Sequence, residues 1–320
     1  MKDVVKTNNK VCTDVSMPDA TNNWVAFVDE SGCKQKAKTA VKSSSDFGLA
    51  VGIVLPAGCA DDFRDKIKSN TGVVLNEDSH ITDCGVAGAD AGKIRNEIFD
   101  VINGMPDVAV VFDVISAHGF HEAEYVRPMT VKGEILSGSS NKSIRLTAHD
   151  ENPSSHATML CDIVLKIRAA VADLSGKSVL INIDAVDDPI LAEAVEYLRE
   201  FDTPSKTTEV PAYDIVHKKK LNGRVNVCIC GLNETSLPKY EIAKCSKMDY
   251  GIFAADVVAN ALLHHLTQYE AQNGVASLNS AQAVSNFPIS SKIQSVTGGR
   301  DATDVFYNNT SDRSCGGLNK

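Results

Sequence analysis

WVAFVDESG, Trp24 to Gly32, is the stretch on which the fold turns. Trp24 to Asp29 is a short apolar run with β-branched and aromatic residues. It ends abruptly in polar ones and reads as a buried strand. A buried strand needs neighbours, and the chain offers four more of the same kind. DFGLAVGIVLP gives a second strand, Asp46 to Leu55, stopped by Pro56. DVAVVFDVIS gives a third, Asp107 to Ser116, and KSVLINID a fourth, Lys177 to Asp184. RVNVCICG, Arg224 to Gly231, is expected as the fifth.

Helical periodicity fills the gaps. Helices are expected over Asp61–Ser69, Ala91–Asn103, Ser154–Leu174, Asp188–Glu200 and Gly251–Leu266. Pro153 stands where a helix start favours it. Early strands followed by alternating helices and strands predict an α/β fold, one mixed sheet of five strands with helices on its faces. Residues 1–22 are polar and read as a loose N-terminal segment. Residues 23–272 form the expected domain, and residues 118–149 read as an irregular insertion within it. Residues 273–320, rich in Ser, Asn and Gly, read as a partly disordered C-terminal extension.

The totals narrow the function. The 320 residues carry a net charge of −9, which argues against indiscriminate coating of nucleic acid but not against a local basic groove. Nine cysteines, an odd number without a C-x-x-C pair, argue against a disulfide framework and for a reducing, cytoplasmic setting. The start, MKDVVKTNNK, has no apolar signal core, and no run is long enough to span a membrane.

Two strands end in aspartate: VAFVD at Asp29 and LINID at Asp184. If they are parallel neighbours, both carboxylates emerge at the C-terminal edge, where open α/β sheets build their sites. The bland alternative is that aspartates commonly open turns. The last helix, GIFAADVVANALLHHL, adds a less ordinary feature. Asp256 shares a face with Ile252, Phe253, Ala259, Asn260 and Leu263. A carboxylate on an inward face needs a cation, a proton or a metal. Three gathered carboxylates suit hard ions such as Mg²⁺ or Mn²⁺.

VDESG on a first strand, LINID on a central one and AD-x-x-A on a late helix, Ala255 to Ala259 preceded by Ser246, occur in that order. Together they resemble the bacterial and phage family labelled "domain of unknown function 3800", whose fold is ribonuclease H-like; the resemblance spans residues 24 to 268. It implies a metal-dependent phosphodiesterase, a nuclease acting on DNA or RNA. Asp29, Asp184 and Asp256 would hold Mg²⁺ or Mn²⁺. Related sequences carry E-x-H after the second strand, matched here by Asp78-Ser79-His80 with Asp in place of Glu, or by Glu77 one place out of register, so Asp78 and His80 join the candidate catalytic set, His80 as a proton shuttle. Ribonuclease H enzymes also place an acid on the helix after the third strand; this chain offers Asp162, Asp173 and, before the helix, Glu151, of which Asp162 is the candidate metal ligand or else a surface residue. Where relatives have QLAD, this chain has FAAD, Phe253 to Asp256.

The dense basic run, His217 to Lys220 with Arg224, reads either as a solvated loop or as phosphate contact by Lys218, Lys219, Lys220 and Arg224. GVAGADAGK lacks the glycine and the Ser or Thr of a phosphate loop. His118, His121, His149 and His156 show no zinc spacing, and His264 and His265 suit a helix end. Two other function classes stay open. One is a metal-dependent binding module, since Asp29-x-Ser31 begins a D-x-S-x-S ion motif that Cys33 interrupts. The other is a silent relative that binds a strand or a protein without cutting. Oligomeric state is not legible.

Overall fold

A computed structural model describes residues 23–32, 47–76, 88–116, 130–131, 144–145, 154–184, 186–202, 206–214, 219–229, 237–273 and 283–294. The strands are β1 (Asn23–Gly32), β2 (Phe47–Pro56), β3 (Ala109–Ser116), β4 (Thr130–Val131), β5 (Ile144–Arg145), β6 (Ser178–Ile183), β7 (Lys206–Asp214), β8 (Lys219–Ile229) and β9 (Lys239–Lys244). The helices are α1 (Ala60–Thr71), α2 (Gly88–Gly104), α3 (Ser155–Asp173), α4 (Asp188–Asp202) and α5 (Tyr250–Asn273).

The main sheet has five strands in the order β3-β2-β1-β6-β9. β2 runs antiparallel to both β1 and β3, whereas β1, β6 and β9 are parallel. The sheet is therefore mixed, and helices cover both faces, as the sequence predicts.

Period-two alternation divides the core into two layers. Val25 and Phe27 of β1, with Leu49, Val51 and Ile53 of β2 and Phe112 of β3, pack against α1, α2 and α5. Ala26 and Val28, with Val111, Ile181 and Ile183, pack against α3 and α4. Phe27, Phe63, Phe112 and Phe253 are fully buried, each worth about 1.5–3 kcal/mol. α5 is apolar almost all round because it lies between the sheet and two other helices; residues 251–259 are buried without a break. It lies so close that a Cβ on Gly251 would stand 2.5 Å from the Phe27 ring. On the other face, Lys166 of α3 reaches the buried Asp113 of β3 at 2.5 Å and the carbonyl of Phe112 at 3.1 Å.

Two expectations are corrected. The fifth strand of the sheet is KYEIAK, β9, and not the Arg224–Gly231 run. That run belongs to β8, which pairs antiparallel with β7 in a separate four-stranded sheet, β4-β5-β7-β8. RVNVCI has the stronger β propensity, but β9 is an edge strand. Lys239, Glu241 and Lys244 are exposed, which blunts an edge against further pairing and hides the strand from a search for apolar runs. The second sheet is made from the segments between β3 and α3 and between α4 and β9.

The second correction concerns the C-terminal extension. α5 runs on to Asn273, past the expected end at Leu266, and residues 283–294 return to the core. Ala283, Val284, Phe287 and Ile289 are buried, Phe287 meets Phe99 edge-on at 5.4 Å, and Ile293 bridges to Val110 of β3. This stretch is core, not an appendage; Ser and Asn between its apolar residues mask it. Residues 1–22 and 295–320 lie outside the described residues.

Candidate functional site

Asp29 and Asp184 are neighbours at the C-terminal edge of the parallel β1–β6 pair. Val28 stands opposite Ile183 in the register. One residue further on, the Asp184 backbone N–H donates to the Val28 carbonyl at 3.2 Å. The two aspartates thus sit on adjacent strands, about 5 Å apart at the backbone. Alternation fixes the Asp29 side chain. Phe27, two residues earlier, faces α5, so Asp29 emerges on that side. Asn182, two residues before Asp184, also faces that side, where its Oδ1 accepts from the Cys245 thiol at 3.4 Å.

On the α3 side of the sheet, the chain at Asp29 and Asp184 also borders a cavity of about 10 Å³, room for about one water-sized sphere. Val28, Glu30, Leu160, Ile183 and Val186 complete its wall. The Asp29 residue is 6% exposed, and the Asp184 side chain 14%. Asp184 Oδ1 is buried and accepts no hydrogen bond among the described residues. A buried acceptor left so costs on the order of 1–3 kcal/mol.

Glu30 follows Asp29 and points to the opposite face, toward the start of α3. There His156 Nε2 lies 2.6 Å from Glu30 Oε2, with both side chains more than nine-tenths buried. α3 starts where Ser154 caps it: its hydroxyl accepts from the Ala157 N–H at 3.1 Å. Glu193 of α4 in turn accepts from the Ser154 N–H and hydroxyl at 2.9 and 3.0 Å. Neither Glu30 nor His156 stands out in the sequence. The legible signals were a second acid beside Asp29, sent by alternation to the other face, and a histidine just past a capping serine.

The turn from β9 into α5 closes the other side. The Cys245 N–H donates to the Ile183 carbonyl at 2.8 Å, extending the pairing past the strand. Asp249 caps α5 by accepting from the Gly251 N–H at 2.7 Å, and Arg64 of α1 clamps Asp249 at 3.0 Å. Burial works against the Arg64 charge, but hydrogen bonding and attraction from Asp249 hold the guanidinium above its ordinary range. Within this turn Lys247 places Nζ 4.0 Å from Asp184 Oδ2. Burial pushes the Cys245 thiol up to about 11, so near neutrality it is protonated and a poor nucleophile.

Asp256 is 9% exposed within the buried part of α5, as its apolar neighbours predict. Among the described residues, no group of three or more His, Cys, Asp or Glu is arranged to hold a metal ion. The structure thus brings Asp29 and Asp184 together without making Asp256 a third member of such a group. Asp162 is half-buried on α3 two residues past Leu160, which at 3.6 residues per turn points it away from the cavity that Leu160 lines. Asp78, His80, Cys33 and Lys218 lie outside the described residues. Lys219, Lys220 and Arg224 lie within β8, not in a loop leading into the main sheet.

No family model matches the chain, and no curated protein matches it. No helix among the described residues is long and apolar enough to cross a membrane.

Proposed function

We propose that this chain is a metal-dependent phosphodiester hydrolase, nuclease-like, acting on DNA or RNA, with a ribonuclease H-like arrangement of its sheet. One observation carries the reading. Asp29 and Asp184 stand side by side at the C-terminal edge of two parallel strands, and among the described residues one buried Asp184 oxygen has no hydrogen-bond donor. That oxygen, next to a second carboxylate, fits a hard cation. Mg²⁺ is ordinarily held by one or two carboxylates plus substrate phosphate and water, so the pair suffices as its protein ligands.

Asp29 and Asp184 would hold Mg²⁺ or Mn²⁺, which supplies Lewis-acid activation of water and charge stabilisation at the leaving oxygen. The chain's own groups do the rest. Main-chain pairing from Val28 to Asp184 and from Ile183 to Cys245 fixes the carboxylates on rigid strands. Asp256 stays in the proposal as a buried acid on α5, the helix that covers the face from which Asp29 emerges.

The test is cleavage of labelled single- and double-stranded DNA and RNA with Mg²⁺ or Mn²⁺. Wild type is compared with Asp29→Asn, Asp184→Asn and Asp256→Asn. Loss in the first two variants by at least a hundredfold is expected. Equal activity in all four proteins removes the reading.

A further inference from the structure

The turn that joins β9 to α5 is tied down along its length. The Met248 N–H donates to Ser246 Oγ at 3.2 Å, and the Asp249 N–H to the Ser246 carbonyl at 3.0 Å. Cys245 is hydrogen-bonded to the end of β6, and Asp249 is clamped by Arg64 and by the first amides of α5. From this fixed base the Lys247 side chain, 30% exposed, brings its ammonium to 4.0 Å from Asp184 Oδ2. An ordinary surface ion pair would join two mobile, solvated chains and mean little. Here the acid is mostly buried at the end of a central strand, and the base springs from an anchored turn.

We propose that Lys247 is the built-in counter-ion of the site: it balances Asp184 while no divalent cation is bound and contacts a substrate phosphate once one is. The inference rests on the reading of Asp29 and Asp184 as metal-holding carboxylates. Two neighbouring carboxylates repel, and an ammonium beside one of them relieves that repulsion. A divalent cation takes over the same task and repels the ammonium. Lysine is suited to the exchange. It is a compact charge on a flexible four-carbon stem, able to turn from a carboxylate to a phosphate arriving at the same edge. Lys247 is placed beside the acids by the main sheet itself.

The two roles have opposite signs, which makes them separable. Mn²⁺ binding to the full chain is measured by isothermal titration calorimetry for wild type, Lys247→Gln, Lys247→Arg and Asp184→Asn. Binding of a short fluorescent DNA strand is measured with Ca²⁺ in place of Mg²⁺, so that the strand is not cut. Lys247→Gln is expected to bind Mn²⁺ roughly three- to tenfold tighter, having lost a competing charge, and the strand weaker by a similar factor. Lys247→Arg should stay near wild type on both. Unchanged Mn²⁺ affinity in Lys247→Gln, or a fall in both affinities together, overturns the role of Lys247. If Asp184→Asn binds Mn²⁺ as well as wild type does, the metal reading itself fails. That pattern is distinct from one in which Asp184→Asn loses the ion and Lys247→Gln matches wild type.

Discussion

His156 Nε2 sits 2.6 Å from Glu30 Oε2, across the sheet from the face on which the neighbouring Asp29 emerges. The end of β1 therefore sends one acid to each side, one toward α5 and the other into a buried pair with α3. Removing one partner of a buried hydrogen-bonded pair strands the polar atom of the other and costs about 1–3 kcal/mol. His156→Phe is expected to lower stability by that order in urea unfolding. The double variant Glu30→Leu/His156→Phe should recover part of the loss, because neither polar partner is then left stranded. A double variant that is less stable than His156→Phe alone would show that the pair is not the source.

The same edge predicts a response to metal. A ligand that binds only the folded state adds about 2.7 kcal/mol at a hundredfold excess over its dissociation constant. Mn²⁺ should raise the melting temperature of the wild-type chain, and a chelator should reverse the gain. Asp29→Asn and Asp184→Asn should melt at the same temperature with and without Mn²⁺. An equal rise in all three proteins would place the ion elsewhere.

Much of this was legible in the residues, and the omissions have physical causes. Apolar strands bounded by Pro and Asp declare themselves, so β1, β2, β3 and β6 lie where VAFV, LAVGIVL, VAVVF and VLINI put them. The carboxylates at Asp29 and Asp184 were legible for the same reason, since each ends such a run. β9 was not, because an edge strand spends half its residues on solvent and KYEIAK looks like a linker. Arg224 to Gly231 misled in the opposite direction: its propensity was right for a strand, but no local feature says which sheet a strand joins. Glu30–His156 and Asp184–Lys247 bridge positions 126 and 63 residues apart, and only the assembled sheet makes them neighbours.

Gly251 is required by contact, not by conformation. An added Cβ would meet the Phe27 ring at 2.5 Å, closer than packed carbons approach. Overpacking of this kind costs about 1–3 kcal/mol. Gly251→Ala should lower the urea midpoint accordingly, and the added variant Phe27→Leu should offset part of the loss beyond what Phe27→Leu shows in the wild-type background. Strict additivity of the two substitutions would mean that helix and ring do not meet as described.

Alkaline pH provides a test of the α3 layer. Burial, with smaller contributions from Asp162, Asp113 and Asp202, pushes the Cys161 thiol up to about 12 from an ordinary value of 9.0. The unfolded chain thus gives up this proton near pH 9, while the folded chain holds it until about pH 12. Between those limits the folded state binds more protons, so stability falls as pH rises, by up to about 1.4 kcal/mol per pH unit from this group. Cys161→Ala removes that slope but creates a small, pH-independent cavity cost. The wild-type advantage over Cys161→Ala in urea unfolding should therefore shrink by about 2 kcal/mol between pH 8 and pH 10.5. Other groups titrate alike in both proteins and cancel. An advantage that stays constant over this interval would show that the Cys161 thiol ionises as readily in the folded chain as in the unfolded one, and that α3 does not seal it from water.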